Sequence, residues 1–177
     1  MITTDQIIIY KEKAGEHLQN VKTAFENLDL KEAIEKAAKS IDQTNDNKMF
    51  SHQRRVGINK ASEGYEQLKD KELDFRNCII FEDIIVITDE VKNNTKRLGD
   101  LWSYDTALRI GFHLKIYPTD VYIQAGVKKG YFKLLNKKPR KRKVPRIKFP
   151  MLDELEVYEI ENFLCIWGSD KLIKKPC

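Results

Sequence analysis

Three ionisable residues, Asp105, Arg109 and His113, recur at intervals of four along one stretch of the sequence. Residues four apart lie on the same face of an α-helix, so these side chains would form one charged row. Asp105 precedes Arg109 in the orientation that favours an ion pair, and this pair can be purely structural. In the functional alternative, Arg109 holds a phosphate or carboxylate through two hydrogen bonds while Asp105 or His113 acts as a general base.

Tyr104 lies directly before this row in the sequence. In the functional alternative, Tyr104, Asp105, Arg109 and His113 line one pocket.

The sequence predicts neither a metal site nor a cofactor. Its histidines are scattered and show no zinc-ligand spacing, and no phosphate-binding glycine loop is present. The cysteines, Cys78, Cys165 and Cys177, are far apart and lack the CxxC spacing, which is typical of reduced thiols inside a cell. The apolar runs are also too short to cross a membrane. We therefore predict a cytoplasmic protein.

Positive charge is concentrated in the later part of the chain. The formal net charge of the whole sequence is +5, but residues 95–150 carry +12, while the preceding and following residues carry −4 and −3. Eight of the twelve residues in 137–148 are Lys or Arg, and we call this segment the basic run. Each close exposed pair of like charges costs about 1 kcal/mol in water, and a bound polyanion removes that repulsion. We therefore predict nucleic-acid binding, with DNA favoured; a solvated loop without a ligand and an import signal are alternatives.

The predicted phosphate contacts are the lysines and arginines of this basic part of the chain. Contacts of this kind position a polymer without reading its sequence, and their affinity falls steeply with salt. They are Lys96, Arg97, Lys128, Lys129, Lys133, Lys137, Lys138, Arg140, Lys141, Arg142, Lys143, Arg146 and Lys148.

The elements that must position these groups are predicted to be helices. Apolar residues recur at spacings of three and four from Ala14 to Leu28, and again from Leu30 to Ile41. Asp29 precedes the second of these segments and has the side chain of a helix N-cap. The two segments therefore predict an N-terminal helical hairpin, followed by a polar loop at 43–48.

The rest of the chain continues this pattern. Further helices are predicted at about 60–71, 75–91, 101–115, 125–135 and 152–167, with a short extended piece at 121–123. The segment 101–115 is apolar almost all round, so we expect it to be the central buried helix. The segment 75–91 is rich in β-branched residues, which favour strands, but its apolar residues form one helical stripe.

These elements predict a mostly α fold, a single compact helical domain with an N-terminal helical hairpin. We predict the hairpin and a linker region at 1–75, and a helical core domain at 76–177 that carries a basic loop at 136–149. The apolar face of the hairpin is expected to pack into the core. Its functional alternative is a surface that forms a homodimer or binds a protein partner.

Several segments between roughly residues 80 and 168 carry a recognisable pattern: Leu98-Gly99, Tyr104–Gly111 (YDTALRIG), Pro118, Val121-Tyr122, Ala125-Gly126, Gly130 and the later EIENFLCIW stretch. In these segments the sequence resembles a family of uncharacterised bacterial proteins. The resemblance implies no particular activity.

A second resemblance concerns the segment from Leu98 to Ala107. A helix, a short turn with Gly99 and a helix with Thr106 is similar to the helix-hairpin-helix element of base-excision DNA glycosylases. The resemblance implies that backbone amides of the turn grip a DNA phosphate. If base excision occurs, the resemblance further implies that Asp120 is a catalytic residue that stabilises positive charge on the sugar. Trp102, Tyr104 or Tyr122 would then line a pocket with Arg109 and stack on the flipped base. No lysine nucleophile can be placed after this hairpin.

Three functions remain open at this point. The first is a nucleic-acid-binding protein that contacts phosphates through its basic surface. The second is a protein-interaction module of the antitoxin, immunity or phage-defence type, in which the basic loop clamps an acidic protein. The third is a DNA glycosylase-like or other nucleic-acid-processing enzyme. Whether the protein is an enzyme is therefore left undecided by the sequence.

Overall fold

The computed structural model describes residues 2–170 and residue 172 of the chain. The fold is mostly α, as predicted, with short antiparallel strand pairs between helices. The helices are α1 (Thr4–Tyr10), α2 (Glu16–Glu26), α3 (Leu30–Ala38), α4 (Ile58–Leu68), α5 (Glu72–Arg76), α6 (Phe81–Asn94), α7 (Asp100–Leu114), α8 (Ala125–Leu135) and α9 (Val157–Gly168). The strands are β1 (Ile41–Asp42), β2 (Lys48–Met49), β3 (Asp120–Tyr122) and β4 (Lys143–Pro145).

None of the helices in the described part of the chain combines the length and the apolar character needed to cross a membrane.

The chain divides into two compact units. One unit, which we call the middle unit, comprises Asn20–Tyr117. The other, the terminal unit, combines the residues up to 19 with those from 118 onward. The domains predicted at 1–75 and 76–177 stay a prediction.

The N-terminal helical segment begins ten residues earlier than its apolar spacing predicts. Helix α1 starts at Thr4, and a π-helical turn at Lys11–Gly15 joins it to α2. The cause is a capping box that the sequence analysis missed. The Thr3 hydroxyl accepts a hydrogen bond from the amide of Gln6 at 3.3 Å, and the Gln6 side chain accepts one from the amide of Thr3 at 3.2 Å.

The middle unit is built around α7, which packs against α3 and α6. Every residue of α7 from Trp102 to Phe112 is buried, so the prediction of a central buried helix is confirmed. The indole N–H of Trp102 donates a hydrogen bond to the carbonyl of Ala38, at the end of α3, at 2.8 Å. Helix α3 itself begins where predicted, because Asp29 accepts a hydrogen bond from the amide of Glu32 at 2.8 Å.

The segment 75–91 is helical rather than extended, but it is not one helix. The chain leaves the helical conformation after α5 and starts again at α6. Asp83 causes the restart, because its carboxylate accepts hydrogen bonds from the amides of Ile79 and Ile80 at 2.9 and 3.0 Å. The prediction of a continuous helix was therefore wrong at 77–80.

In the terminal unit, α8 packs against α9, and strand β3 lies beside α9. Strand β3 pairs antiparallel with β4, so that Asp120 lies opposite Pro145 and Tyr122 lies opposite Lys143. The bounds of α8 coincide with the predicted helix 125–135, and β3 lies at the predicted extended piece. The connection between α8 and β4 therefore carries the first half of the basic run. Asn136 begins this connection in the left-handed conformation that ends a helix.

The contact between α8 and α9 requires a glycine at position 130. A β-carbon on Gly130 would overlap the carbonyl oxygen of Leu164 and lie 2.8 Å from the carbonyl carbon. Both atoms belong to the backbone of α9, so neither can rotate away.

We predict that Gly130→Ala lowers the free energy of unfolding by about 1–3 kcal/mol, since the added methyl group overpacks the helix contact. The measurement is urea denaturation followed by circular dichroism. In an exposed helix the same substitution stabilises by about 1 kcal/mol, so the predicted sign is the reverse of the intrinsic helix propensity.

Gly99→Ala is the matched control. A β-carbon at Gly99 would meet nothing within 4 Å, and its backbone angles suit any residue. Its free energy of unfolding should change by less than about 1 kcal/mol. Equal losses for the two variants would contradict the close approach of α8 and α9.

Candidate nucleic-acid interface

Asp105 lies in a hydrogen-bonded cluster inside the middle unit. Its Oδ2 accepts a hydrogen bond from the side-chain amide of Gln53 at 2.5 Å and lies 2.7 Å from Nε2 of His52. The same oxygen lies 3.5 Å from Nη2 of Arg109, so the ion pair expected from their spacing is present. His52 and Gln53 belong to a 3₁₀ turn that precedes α4. The cluster therefore joins two segments that are some 50 residues apart in sequence.

Arg109 is buried, and more than one neighbouring group compensates its positive charge. Its guanidinium lies 3.9 Å from the centroid of the Phe50 ring, which is a cation–π geometry. Burial lowers the pKa of Arg109, while the carboxylates of Asp105 and Asp42 raise it. Asp42 is brought into this cluster by the short hairpin of β1 and β2. These contacts indicate a structural role for Arg109.

The ionised form of Asp105 stabilises the fold. Burial raises the pKa of the Asp105 carboxyl. His52, Arg109 and Gln53 together lower this pKa by more than burial raises it, so the net pKa lies below the ordinary value. A carboxyl with a lowered folded-state pKa contributes stability above its unfolded pKa of about 4. That contribution is lost as the pH falls through the lower, folded-state pKa.

His113 does not join the cluster. Its Nδ1 is buried and has no hydrogen-bond partner among the residues that the structure describes. The histidine beside Asp105 is His52, which the charged row of α7 could not reveal. A role of His113 as a general base stays a prediction.

The aromatic candidates are buried within their own units. Trp102 and Tyr104 lie in the core of the middle unit, where Tyr104 packs edge-on against Phe81 with ring centroids 6.0 Å apart. In the terminal unit, Tyr122 is buried in strand β3, and the guanidinium of Arg142 lies 6.0 Å from its ring centroid. Stacking on a nucleotide base would require each of these rings to become accessible.

Asp120 is held in an ion pair at the start of β3. Its Oδ2 lies 3.3 Å from Nζ of Lys143, on the neighbouring strand β4. This ion pair joins β3 to β4, so both residues have a structural role.

The described residues contain no group of three or more His, Cys, Asp or Glu that could hold a metal ion.

Most residues of the basic run line an open depression in the terminal unit. Its volume is about 650 Å³. We call it the basic cleft; its lining residues are Tyr131, Lys137, Lys138, Arg140, Lys141, Lys143, Val144 and Pro145. Five of these eight residues are cations, and no acidic residue is among them.

Some cations of the basic run have structural partners. Lys143 pairs with Asp120, as described above. Arg146 donates hydrogen bonds from Nη2 to the carbonyls of Asp153 and Leu155, at 2.7 and 3.0 Å. Outside the basic run, Lys133 on α8 pairs with Asp170 at 2.7 Å. The side chains of these three cations are therefore already engaged in contacts within the terminal unit.

Four cations of the cleft have no such partner. Lys137, Lys138, Arg140 and Lys141 are exposed and form no ion pair with any residue that the structure describes. They lie on the connection between α8 and β4, where each adds to the repulsion felt by the others. Lys128, Lys129 and Lys148, which are exposed on the same unit, extend the positive surface beyond the cleft.

Lys96 and Arg97 belong to the middle unit, in the turn between α6 and α7. Both are exposed. The glycine of this turn, Gly99, is the N-cap of α7, and Asp100 occupies the first turn of the helix. Asp100 pairs with Lys92 at 2.8 Å. A phosphate gripped by the amides of this turn would therefore lie beside a carboxylate, which opposes its binding.

Sequence reasoning missed three residues that line the cleft, Tyr131, Val144 and Pro145, and Tyr131 is the aromatic one. It lies six residues before the basic run, on α8, and its ring meets Phe149 edge-on with centroids 6.1 Å apart. The available signal was an aromatic residue at the end of a helix that leads directly into a dense cluster of lysines and arginines.

No protein-family model, curated protein or solved structure matches this chain. The resemblances to a family of uncharacterised bacterial proteins and to the helix-hairpin-helix element therefore stay predictions.

We predict that Asp105→Asn lowers the free energy of unfolding by about 3 kcal/mol at neutral pH. The substitution removes a charge and leaves the buried guanidinium of Arg109 with less compensation. The measurement is urea denaturation, with the slope of the transition checked for two-state behaviour.

Asp100→Asn is the control, because it removes a carboxylate from the same helix at an exposed ion pair. Its effect should stay below about 1 kcal/mol. If both variants lost the same small amount, Asp105 would not be the counter-ion that stabilises Arg109 in the fold.

Proposed function

We propose that this protein binds nucleic acid through the basic cleft of its terminal unit. The observation that carries the proposal is the set of four exposed cations, Lys137, Lys138, Arg140 and Lys141, that lack an ion-pair partner among the described residues. A chain of phosphates supplies regularly spaced negative charge, and its bound counterions are released when lysines and arginines replace them. The release favours binding, and the phosphates also relieve the repulsion among the four cations.

The anchoring contacts around the cleft support this assignment. Because Lys143 pairs with Asp120 and Arg146 binds two carbonyls, the strand that ends the basic connection is fixed. The free cations therefore extend from a connection whose two ends, α8 and β4, are both regular structure. A held connection loses less conformational entropy on binding than an unstructured tail does.

The proposal is for binding and not for a reaction. Asp105 and Asp120 are each engaged in ion pairs, and both have a structural use in the unit to which they belong. Catalytic roles for Asp105, Asp120 and His113 stay predictions. Phosphate contacts alone do not distinguish DNA from RNA, so the preference for DNA also stays a prediction. A cytoplasmic location is part of the proposal, supported by Cys78 and Cys165, neither of which forms a disulfide within the part of the chain that the structure describes.

A protein partner is the second function that the cleft allows. An acidic protein surface can pair with the same four cations, and the test below separates it from a nucleic acid. Dimerisation through the N-terminal helices stays a prediction.

We predict that the protein binds oligonucleotides with an affinity that falls steeply between low and moderate salt. Replacing Lys137, Lys138, Arg140 and Lys141 together by Gln should reduce the slope of log K against log[salt] by roughly 3 to 4, about 0.7–0.9 for each lost phosphate contact. Fluorescence anisotropy with labelled oligonucleotides at several salt concentrations measures both quantities. The variant should be no less stable than the wild type, because it removes repulsion.

The matched control replaces four exposed cations outside the basic run by Gln: Lys13, Lys31, Arg54 and Arg55. It changes the net charge by the same amount but should leave the salt slope nearly unchanged. Absence of binding to both DNA and RNA at low salt would end the proposal. A stable complex with an acidic protein that is lost in the first variant would then favour the protein-interaction function.

A further inference from the structure

The basic cleft contains a feature that phosphate binding does not require. Its lining includes Tyr131, together with Val144 and Pro145. A site built only for phosphates needs cations and amides, whereas an aromatic ring and an apolar wall are suited to the face of a base. The composition of the cleft thus combines the two features of sites that bind single strands, a positively charged groove and an aromatic platform.

The ring of Tyr131 is held in place by its neighbours. Its ring meets that of Phe149 at an interplanar angle of 73°, and Phe149 is fully buried in the core of the terminal unit. Tyr131 itself is half-buried on α8. A ring that is already fixed loses little rotamer freedom when a base stacks on it, and this favours stacking.

Single strands and duplexes offer different groups to this cleft, an open depression of about 650 Å³. A duplex keeps the faces of its bases stacked on one another, so it presents sugars, phosphates and base edges to such a surface. A single strand can place an unpaired base in the depression while its phosphates reach the surrounding cations.

We propose that the basic cleft binds a single-stranded nucleic acid, with one base stacked on Tyr131 and the adjoining phosphates held by Lys137, Lys138, Arg140 and Lys141. This inference rests on the proposed nucleic-acid binding and adds the class of ligand. It assigns two separate contributions to the site: charge from the α8–β4 connection and stacking from α8.

The test compares three probes of equal length at one salt concentration: a single-stranded oligonucleotide, the same strand with abasic sugars, and the matching duplex. Anisotropy titrations with the full chain give the three dissociation constants. The single strand should bind roughly tenfold more tightly than the abasic strand, because only the former can stack. It should also bind more tightly than the duplex.

The variant Tyr131→Leu keeps an apolar side chain and removes the ring. We expect it to lose roughly tenfold in affinity for the normal strand and to bind the abasic strand as the wild type does. Unchanged abasic binding also shows that the variant is folded. Phe132→Leu is the matched control, since Phe132 is the next residue of α8, is 48% exposed and does not line the cleft. It should bind all three probes as the wild type does.

The outcomes distinguish this inference from the function on which it rests. If none of the three probes binds, both fail. If the normal and abasic strands bind equally, or if the duplex binds as tightly as the single strand, the cleft binds nucleic acid by charge alone and the inference fails. An equal loss on both strands in Tyr131→Leu would likewise overturn stacking, because it would mean that the ring only supports the position of the cations.

Discussion

Mutual repulsion among the cations that follow α8 is the constraint around which the terminal unit is arranged. Eight lysines and arginines lie within twelve residues, and only some of them find partners nearby. Lys143 pairs with Asp120 on the neighbouring strand β3, and Arg146 donates hydrogen bonds to two carbonyls. The repulsion that remains is strongest in the connection between α8 and β4, which carries four cations without an ion-pair partner among the described residues. A negatively charged ligand is the simplest source of compensation for it.

In the middle unit, by contrast, the buried positive charge is compensated by neighbouring groups. Arg109 is buried, and its charge is balanced by the carboxylates of Asp105 and Asp42 and by the ring of Phe50. Gln53 and His52 complete the hydrogen bonding of Asp105. Such a cluster stabilises the fold only as a whole, because each member is costly to bury without the others. This is why Asp105 and Arg109, four residues apart on one helix, form a structural pair here, although the same residue types in an open pocket would indicate chemistry.

Local sequence patterns predicted a helix well where its own residues determine where it begins and ends. The period of apolar residues identified α7 and α8, and Asp29 marked the start of α3. The patterns did worse where a polar side chain acts on the backbone, as at Thr3 and at Asp83. They could not pair Asp105 with His52, because contacts between residues some 50 positions apart depend on tertiary packing and not on periodicity. For the same reason they found the cations of the cleft but not Tyr131.

The cations of the cleft also lower the stability of the folded state, which charges that only provide solubility need not do. A protein gains solubility from charge of either sign, and mixing the signs avoids repulsion. The connection between α8 and β4 instead concentrates one sign, so its four unpaired cations oppose the compact state that brings them together. Arrangements that lower stability are characteristic of functional sites, where binding rather than folding benefits from the group. This charge distribution supports the proposal that the terminal unit binds an anionic ligand.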